Sequence, residues 1–246
     1  MSYDYIEGKN RIEEILENDL AIIEKSELPN DESFTFENGY YSWVTAIFVD
    51  IRNSTKLFNN KDKEKISKII RCFTSEIIEI LRDSNCIREI GIRGDCVYAV
   101  YTTPNKTNVY EIADKSFYVN TLINMLNILY RNEGWDGIRA GIGVSTAKEL
   151  VVKAGRKGVG INNKVWIGNA VTKSSNLSSI GDNGTYNRIV FSSCTYDNTI
   201  DCLVEKSGEK ARLWFTEHYS SENGTFYDAN IIIKDFNDWI ETGMKN

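Results

Sequence analysis

The sequence has one histidine, His218, no C-x-x-C pair, no excess of positive charge and no apolar run near the ~18 residues that a membrane span needs. Each absence excludes a class of function. A single imidazole rules out every two-histidine metal site and leaves His218 as the sole histidine base on offer. Close to the end of the chain, it reads as a surface residue without a catalytic role. Against 35 Asp plus Glu stand 29 Lys plus Arg, a formal net charge of −6. Such a chain has no bulk footprint for nucleic acid or anionic lipid, and a polyanion must be gripped locally. Five cysteines (Cys72, Cys86, Cys96, Cys194, Cys202) have no ligand spacing and predict buried, reduced thiols. A polar, acidic start and the missing apolar run predict a cytoplasmic protein with no membrane and no nucleic acid among its partners.

What is present suits one globular core with extensions: 246 residues, 41% hydrophobic and 26% charged. Ile12, Ile15, Leu16, Leu20 and Ile23 recur at helical spacing, so residues 10–26 predict an amphipathic helix within an N-terminal arm of residues 1–40. Trp43 to Val49 read as a buried strand closed by Asp50. An irregular piece, Ile51 to Asp62, precedes a helix whose apolar face holds Ile66, Ile69, Phe73, Ile77 and Leu81. Strands Cys86–Ile92 and Cys96–Tyr101 flank a tight Arg93-Gly94-Asp95 turn, and a second helix covers 108–131. Strands at 138–144, 149–153 and 165–167, a Gly/Lys/Asn-rich loop at 154–164, a helix at 169–180 and a strand at 188–192 follow. That order predicts an α+β protein with a ferredoxin-like βαββαβ core, extra strands and helices on one sheet face. The core domain is placed at 41–217, with a C-terminal extension, 218–246, holding one strand-like stretch, Ile231–Ile233.

Three local features could carry chemistry. Asp50 ends one strand and Asp95 sits at the tip of the hairpin expected beside it. Taken singly each is an ordinary turn or cap acid. Brought together they repel, and a divalent cation with hard oxygen ligands is the usual remedy. Ser54 and Thr55 follow Asp50 ahead of a helix, as N-cap residues do, which aims free N–H groups at whatever binds there. Lys153 to Gly160 form a cationic, glycine-rich stretch containing Arg156 and Lys157. It suits a phosphate, a solvated hairpin tip or a subunit contact, and no Gly-Lys-Ser/Thr closes it into a Walker A loop.

Phe48-Val49-Asp50-Ile51-Arg52-Asn53-Ser54-Thr55 resembles the F-x-D-I-x-G-F-T signature of class III nucleotidyl cyclases, and Gly94-Asp95-Cys96-Val97-Tyr98-Ala99 resembles their G-D-x-x-x-A hairpin, the acids lying 45 residues apart. Arg139 to Val144 is similar to the family's R-x-G-I/V strand, and Trp166 to Val171 to its W-G-x-x-V motif. The resemblance covers residues 43–193. It implies a homodimeric enzyme in which the 3′-hydroxyl of a nucleoside triphosphate attacks the α-phosphorus and expels pyrophosphate. By motif position, Asp50 and Asp95 would be catalytic and hold two Mg²⁺ or Mn²⁺ ions with the Ile51 carbonyl. Phe48, Arg52, Asn53, Ser54, Thr55, Arg93, Thr172, Lys173 and Asn176 would contact the nucleotide, and Arg156 and Lys157 the triphosphate or an interface.

The departures from the family pattern are informative. Gly91 stands where purine-specific cyclases carry a base-reading lysine, and Val165 or one of its neighbours where they carry a polar reader. Thr172 and Asn176 stand in place of the family's asparagine and transition-state arginine, so Lys173, Arg93, Arg52 or Arg156 would have to supply that cation. These changes resemble the Pycsar pyrimidine cyclases of bacterial antiphage defence. That implies UTP as substrate, cyclic UMP as second messenger and a separate effector that senses it. Cytidylate cyclase, a divergent purine cyclase and a catalytically dead nucleotide-binding module are the other readings.

Overall fold

The computed structural model describes residues 3–55 and 62–245, so part of the connection expected between Ile51 and Asp62 lies outside the described residues. Its elements in chain order are α1 (Tyr5–Glu17), β1 (Ala21–Glu24), β2 (Asn38–Ile51), α2 (Lys63–Arg82), β3 (Ile87–Arg93), β4 (Cys96–Thr102), α3 (Lys106–Asn132), β5 (Ala140–Arg156) and β6 (Ile161–Ile167). There follow α4 (Asn169–Ile180), β7 (Ile189–Ser192), α5 (Ser193–Ser207), β8 (Phe215–Ser220), β9 (Gly224–Ala229) and α6 (Lys234–Glu241). Contacts divide the chain into two compact units, residues 1–42 with 150–167 and residues 43–149 with 168–246.

In the first unit the Asp4 carboxylate caps α1, accepting the N–H groups of Ile6 and Glu7 at 3.0 and 3.1 Å. The helix stops at Glu17, short of the expected 26. Residues 21–24 instead form β1, paired in parallel with β2 from Ala21 opposite Asn38 to Glu24 opposite Tyr41. Ile22 and Ile23 satisfy a helical pattern, but they are β-branched and the edge of β2 is there to accept their backbone. The expected loop at 154–164 is a hairpin: β5 and β6 pair antiparallel from Leu150–Ile167 to Arg156–Ile161. Strands expected at 138–144 and 149–153 are the single strand β5. Leu28, Phe34, Tyr40 and Val151 make a small core with Trp166 packed on it.

The second unit holds the βαββαβ core. Its strand order is β3-β4-β2-β5-β7-β9-β8. Odd-numbered residues of β2 and β4 (Ile47, Val49, Ile51; Val97, Ala99, Tyr101) join one apolar cluster with Ile69, Phe73, Ile77 and Leu81 of α2 and Phe117, Leu122 and Ile123 of α3. Period-two alternation therefore sends Phe48, Asp50, Cys96 and Tyr98 to the opposite sheet face. Helices were expected on one face, but α4 lies on that opposite face. A Cβ on Gly141 would sit 2.0 Å from the Ser178 carbonyl oxygen, and one on Gly143 2.0 Å from that of Ser174. Only glycine lets α4 lie so close.

Four further expectations are corrected. Residue 218 falls inside β8, which pairs with β9, and residues 231–233 form no strand but lead into α6. Cys72 is exposed and the other four thiols are half-buried; all five are free. Nor is His218 a surface residue. Its Nε2 lies 3.0 Å from the Asp228 carboxylate, and its ring stacks on Phe226.

Candidate active site

Strand register builds the centre of the site. β2 pairs with β4 so that Asp50 is directly opposite Cys96, and Gly94, at φ +65°, turns the chain so that Asp95 immediately precedes it. The two carboxylates are therefore neighbours at one end of adjacent strands. Burial holds the Asp50 carboxyl above its ordinary range, the Arg52 guanidinium opposes this, and the Asp95 charge adds to it. The Cys96 thiol is pushed up to about 12, by burial first and then by Asp50. It stays a protonated, inert thiol at neutral pH.

Arg52 bridges. One guanidinium nitrogen donates to Asp50 Oδ2 and another to the carbonyl of Ser179 in the last turn of α4. The sequence reading assigned Arg52 to the nucleotide; the structure engages it in tying the strand-end acid to a helix terminus. Asn53 follows at φ +56°, which lets the chain turn out of β2, and Ser54 and Thr55 begin a helical turn. Phe48, two residues before Asp50, stacks on Tyr98 with centroids 5.1 Å apart and planes 17° apart. Arg93 is exposed at the end of β3, opposite Cys96. Of the α4 candidates, Thr172 is exposed and Asn176 half-buried. Lys173 is pulled below its ordinary range by burial, with Cys194 of α5 as the neighbour that opposes the shift. The structure thus brings Asp50, Asp95, Arg52 and Phe48 together and groups Lys173 with Cys194. Arg156, Lys157 and Val165 belong to the other unit, the first two at the tip of its β5–β6 hairpin.

Among the described residues no three His, Cys, Asp or Glu side chains form a metal-holding group. A pair of carboxylates still fits a divalent cation: Asp50 is half-buried with the like charge of Asp95 beside it, and both offer hard oxygens. Sequence reasoning missed several neighbours of these acids. Tyr98, which the β2–β4 register sets opposite Phe48, donates a 2.7 Å hydrogen bond to Glu89 of β3. Away from these acids, at the other end of α4, Glu149 is fully buried, and its Oε1 accepts the Ala170 N–H at the start of that helix. No helix among the described residues is long and apolar enough to cross a membrane.

Over 244 residues the chain is 52% identical to a uridylate cyclase from Treponema porcinum, covering 99% of this chain and 83% of that one. It is 29% identical over 252 residues to a uridylate cyclase from Gulbenkiania mobilis, covering 98% and 96%. Its fold is similar to the crystal structure of the adenylyl cyclase CyaB from P. aeruginosa, with TM-score 0.62 and 18% identity over 78% of this chain and 95% of that one. Residues 36–210 match the family described as the adenylate and guanylate cyclase catalytic domain. Members of that family use divalent metal ions, bind nucleoside triphosphates and often dimerise. Because the match covers well over half the sequence and runs through both aspartates, the chain belongs to the class III nucleotide cyclase family and is an enzyme of that family.

Proposed function

We propose that the chain converts UTP into 3′,5′-cyclic UMP and pyrophosphate, as a cytoplasmic homodimer whose product signals phage infection to a separate effector. The observation that carries the chemistry is the register that sets Asp50 opposite Cys96 and thus beside Asp95. The names of the two relatives support uridine as the base, as do the vacated purine-reading positions Gly91 and Val165.

In the reaction the 3′-hydroxyl oxygen bonds to the α-phosphorus, the bond from that phosphorus to the bridging oxygen breaks, pyrophosphate leaves, and the hydroxyl proton passes to solvent. Asp50, Asp95 and the Ile51 carbonyl would hold two Mg²⁺ or Mn²⁺ ions, which lower the pKa of the attacking hydroxyl and neutralise the triphosphate. Arg52 fixes the Asp50 carboxylate and couples it to α4. Thr172 and Asn176, on that helix, and Arg93, at the hairpin, are the candidate contacts to phosphate and ribose. In this account an acidic protein binds a polyanion through the cations its carboxylates collect, and no histidine base is needed.

To test this, the purified protein is incubated with Mn²⁺ and ATP, GTP, CTP or UTP in separate reactions, and the product is identified by mass. Cyclic UMP is expected as the main product. A dominant cyclic purine or cyclic CMP would overturn the base assignment, and no product from a folded protein would overturn the activity.

A further inference from the structure

Arg52 is held at three points. Its backbone N–H donates to the Arg139 carbonyl at 2.7 Å, and its guanidinium reaches both Asp50 Oδ2 and the Ser179 carbonyl. Arg139 and Ser179 lie on segments that another carboxylate ties together. Asp182 follows the end of α4, at φ +51°, and sits between the arginines that precede β5 and β7. Arg139 donates to Asp182 Oδ1 from one terminal nitrogen at 3.0 Å and from Nε at 3.3 Å, and also to the Asp182 carbonyl. Arg188 brings its Nε to 3.7 Å from the other carboxylate oxygen, Oδ2. At its far end Arg188 donates to the side chains of Asn120 and Asn124 on α3, at 2.8 and 3.2 Å. The contacts close a ring that runs from Arg52 to Arg139, from Arg139 to Asp182, and back along the chain to Ser179 and Arg52. Asp182 is the anionic link in it.

Charge balance makes that link necessary. Arg52, Arg139 and Arg188 bring three positive charges to the end of α4, whose last carbonyls supply only partial negative charge. Asp50 offsets one of them, and Asp182 faces the other two. Burial pulls Arg188 below its ordinary range; Asp182 opposes this, and the like charge of Arg139 adds to it. With residue 182 neutral, Arg139 and Arg188 repel one another and the two anchors of Arg52 are no longer fastened together. The Asp50 carboxylate then loses its fixed orientation although none of its own contacts has been substituted.

We infer that Asp182 is a positioning residue for Asp50, acting through Arg139, Ser179 and Arg52 to set the orientation in which that carboxylate meets a divalent cation. This rests on the cyclase reading above and adds a residue that acts on Asp50 only through others. Asparagine tolerates positive φ and keeps one acceptor oxygen while losing the charge, so D182N isolates the electrostatic link.

The experiment measures Mn²⁺ affinity from the electron paramagnetic resonance signal of free Mn²⁺ in the presence of α,β-methylene UTP, which cannot cyclise. The native chain, D182N, R52A and D182N/R52A are compared, turnover to cyclic nucleotide is followed alongside, and melting curves certify folding at the working temperature. D182N should weaken Mn²⁺ binding and slow turnover by about 10–100-fold. Added to R52A it should weaken Mn²⁺ binding by less than about twofold more, because the route to Asp50 is already cut. A merely structural Asp182 would lower the melting temperature in both backgrounds and leave Mn²⁺ affinity alone. If the native chain makes cyclic nucleotide and D182N keeps its Mn²⁺ affinity within about twofold, or if the effects of the two substitutions multiply, the positioning role is wrong while the cyclase reading stands. If the native chain makes no cyclic nucleotide, both fall.

Discussion

Glu149 offers a measurement that separates helix capping from charge burial. Its side chain has no exposed surface, and its carboxylate accepts the Ala170 N–H and is further stabilised by that of Val171. Gly168, the N-cap of α4, has no side chain to do this, so the acid reaches in from β5 and caps the helix itself. Glu149→Ala leaves these amides without an acceptor, at about 1–3 kcal/mol for each buried donor left unsatisfied. A total of about 2–6 kcal/mol corresponds to a melting temperature lower by roughly 4–24 °C for a chain of this size. Glu149→Gln keeps the shape and one acceptor oxygen but does not titrate. Burial outweighs the two N–H bonds and raises the native carboxyl above the ordinary 4.5. The folded state therefore binds this proton more tightly than the unfolded one. Its contribution to stability is complete below about 4.5 and is lost as the pH rises through the raised native value. Each pH unit between the two values is worth about 1.4 kcal/mol. Melting curves of the native protein and Glu149→Gln from pH 4 to 8 should consequently diverge, the native chain losing ground as the pH rises. Parallel curves would refute the buried-acid account, and an Ala variant as stable as the native chain would refute the cap.

Asp95→Ala should abolish cyclic product while leaving circular dichroism and melting unchanged, because the residue lies in a two-residue turn outside the core; near-normal turnover would remove it from the metal site. Arg52→Ala releases both Asp50 and the Ser179 carbonyl and should cost about 2 kcal/mol in a denaturant melt together with most of the turnover. Gly143→Ala drives a methyl into the backbone of α4 and should give protein without a cooperative melt, whereas Gly184→Ala, with nothing within 4 Å of the added carbon, should lose only what its positive φ (+102°) costs.

How much of this the sequence displayed depended on the kind of interaction. Ile66 to Leu81 repeat with helical period and bury one face, so α2 was legible, and Gly168 to Gly181 bracket α4 at residues 169–180 as expected. By contrast, α5 was missed, because only Ile200 and Leu203 give it large buried apolar side chains and Thr195 and Thr199 are buried with them. β1 mimicked a helix, since Leu20 and Ile23 continue the spacing of Leu16, and only pairing with β2 decides otherwise. The two aspartates stood out through their flanking motifs. Tyr98 did not, because its importance lies in what stands across from it: Phe48 on one side and Gly91 on the other. Glu149, between Lys148 and Leu150, looks like an outward-facing polar residue of a strand; it is buried because the start of α4 comes to rest on it.

The contact between β5 and α4 contains no side chains from β5 at Gly141 and Gly143; the helix carbonyls of Ser178 and Ser174 occupy the places their Cβ atoms would take. Spacing there is a main-chain dimension, like a shim of fixed thickness. Drift among the isoleucines and phenylalanines of the other face can alter stability without changing the distance at which α4 presents Thr172 and Asn176. Sequence divergence in this fold can thus be broad in the core while the depth of the proposed reaction site stays constant, for as long as those two positions carry no side chain.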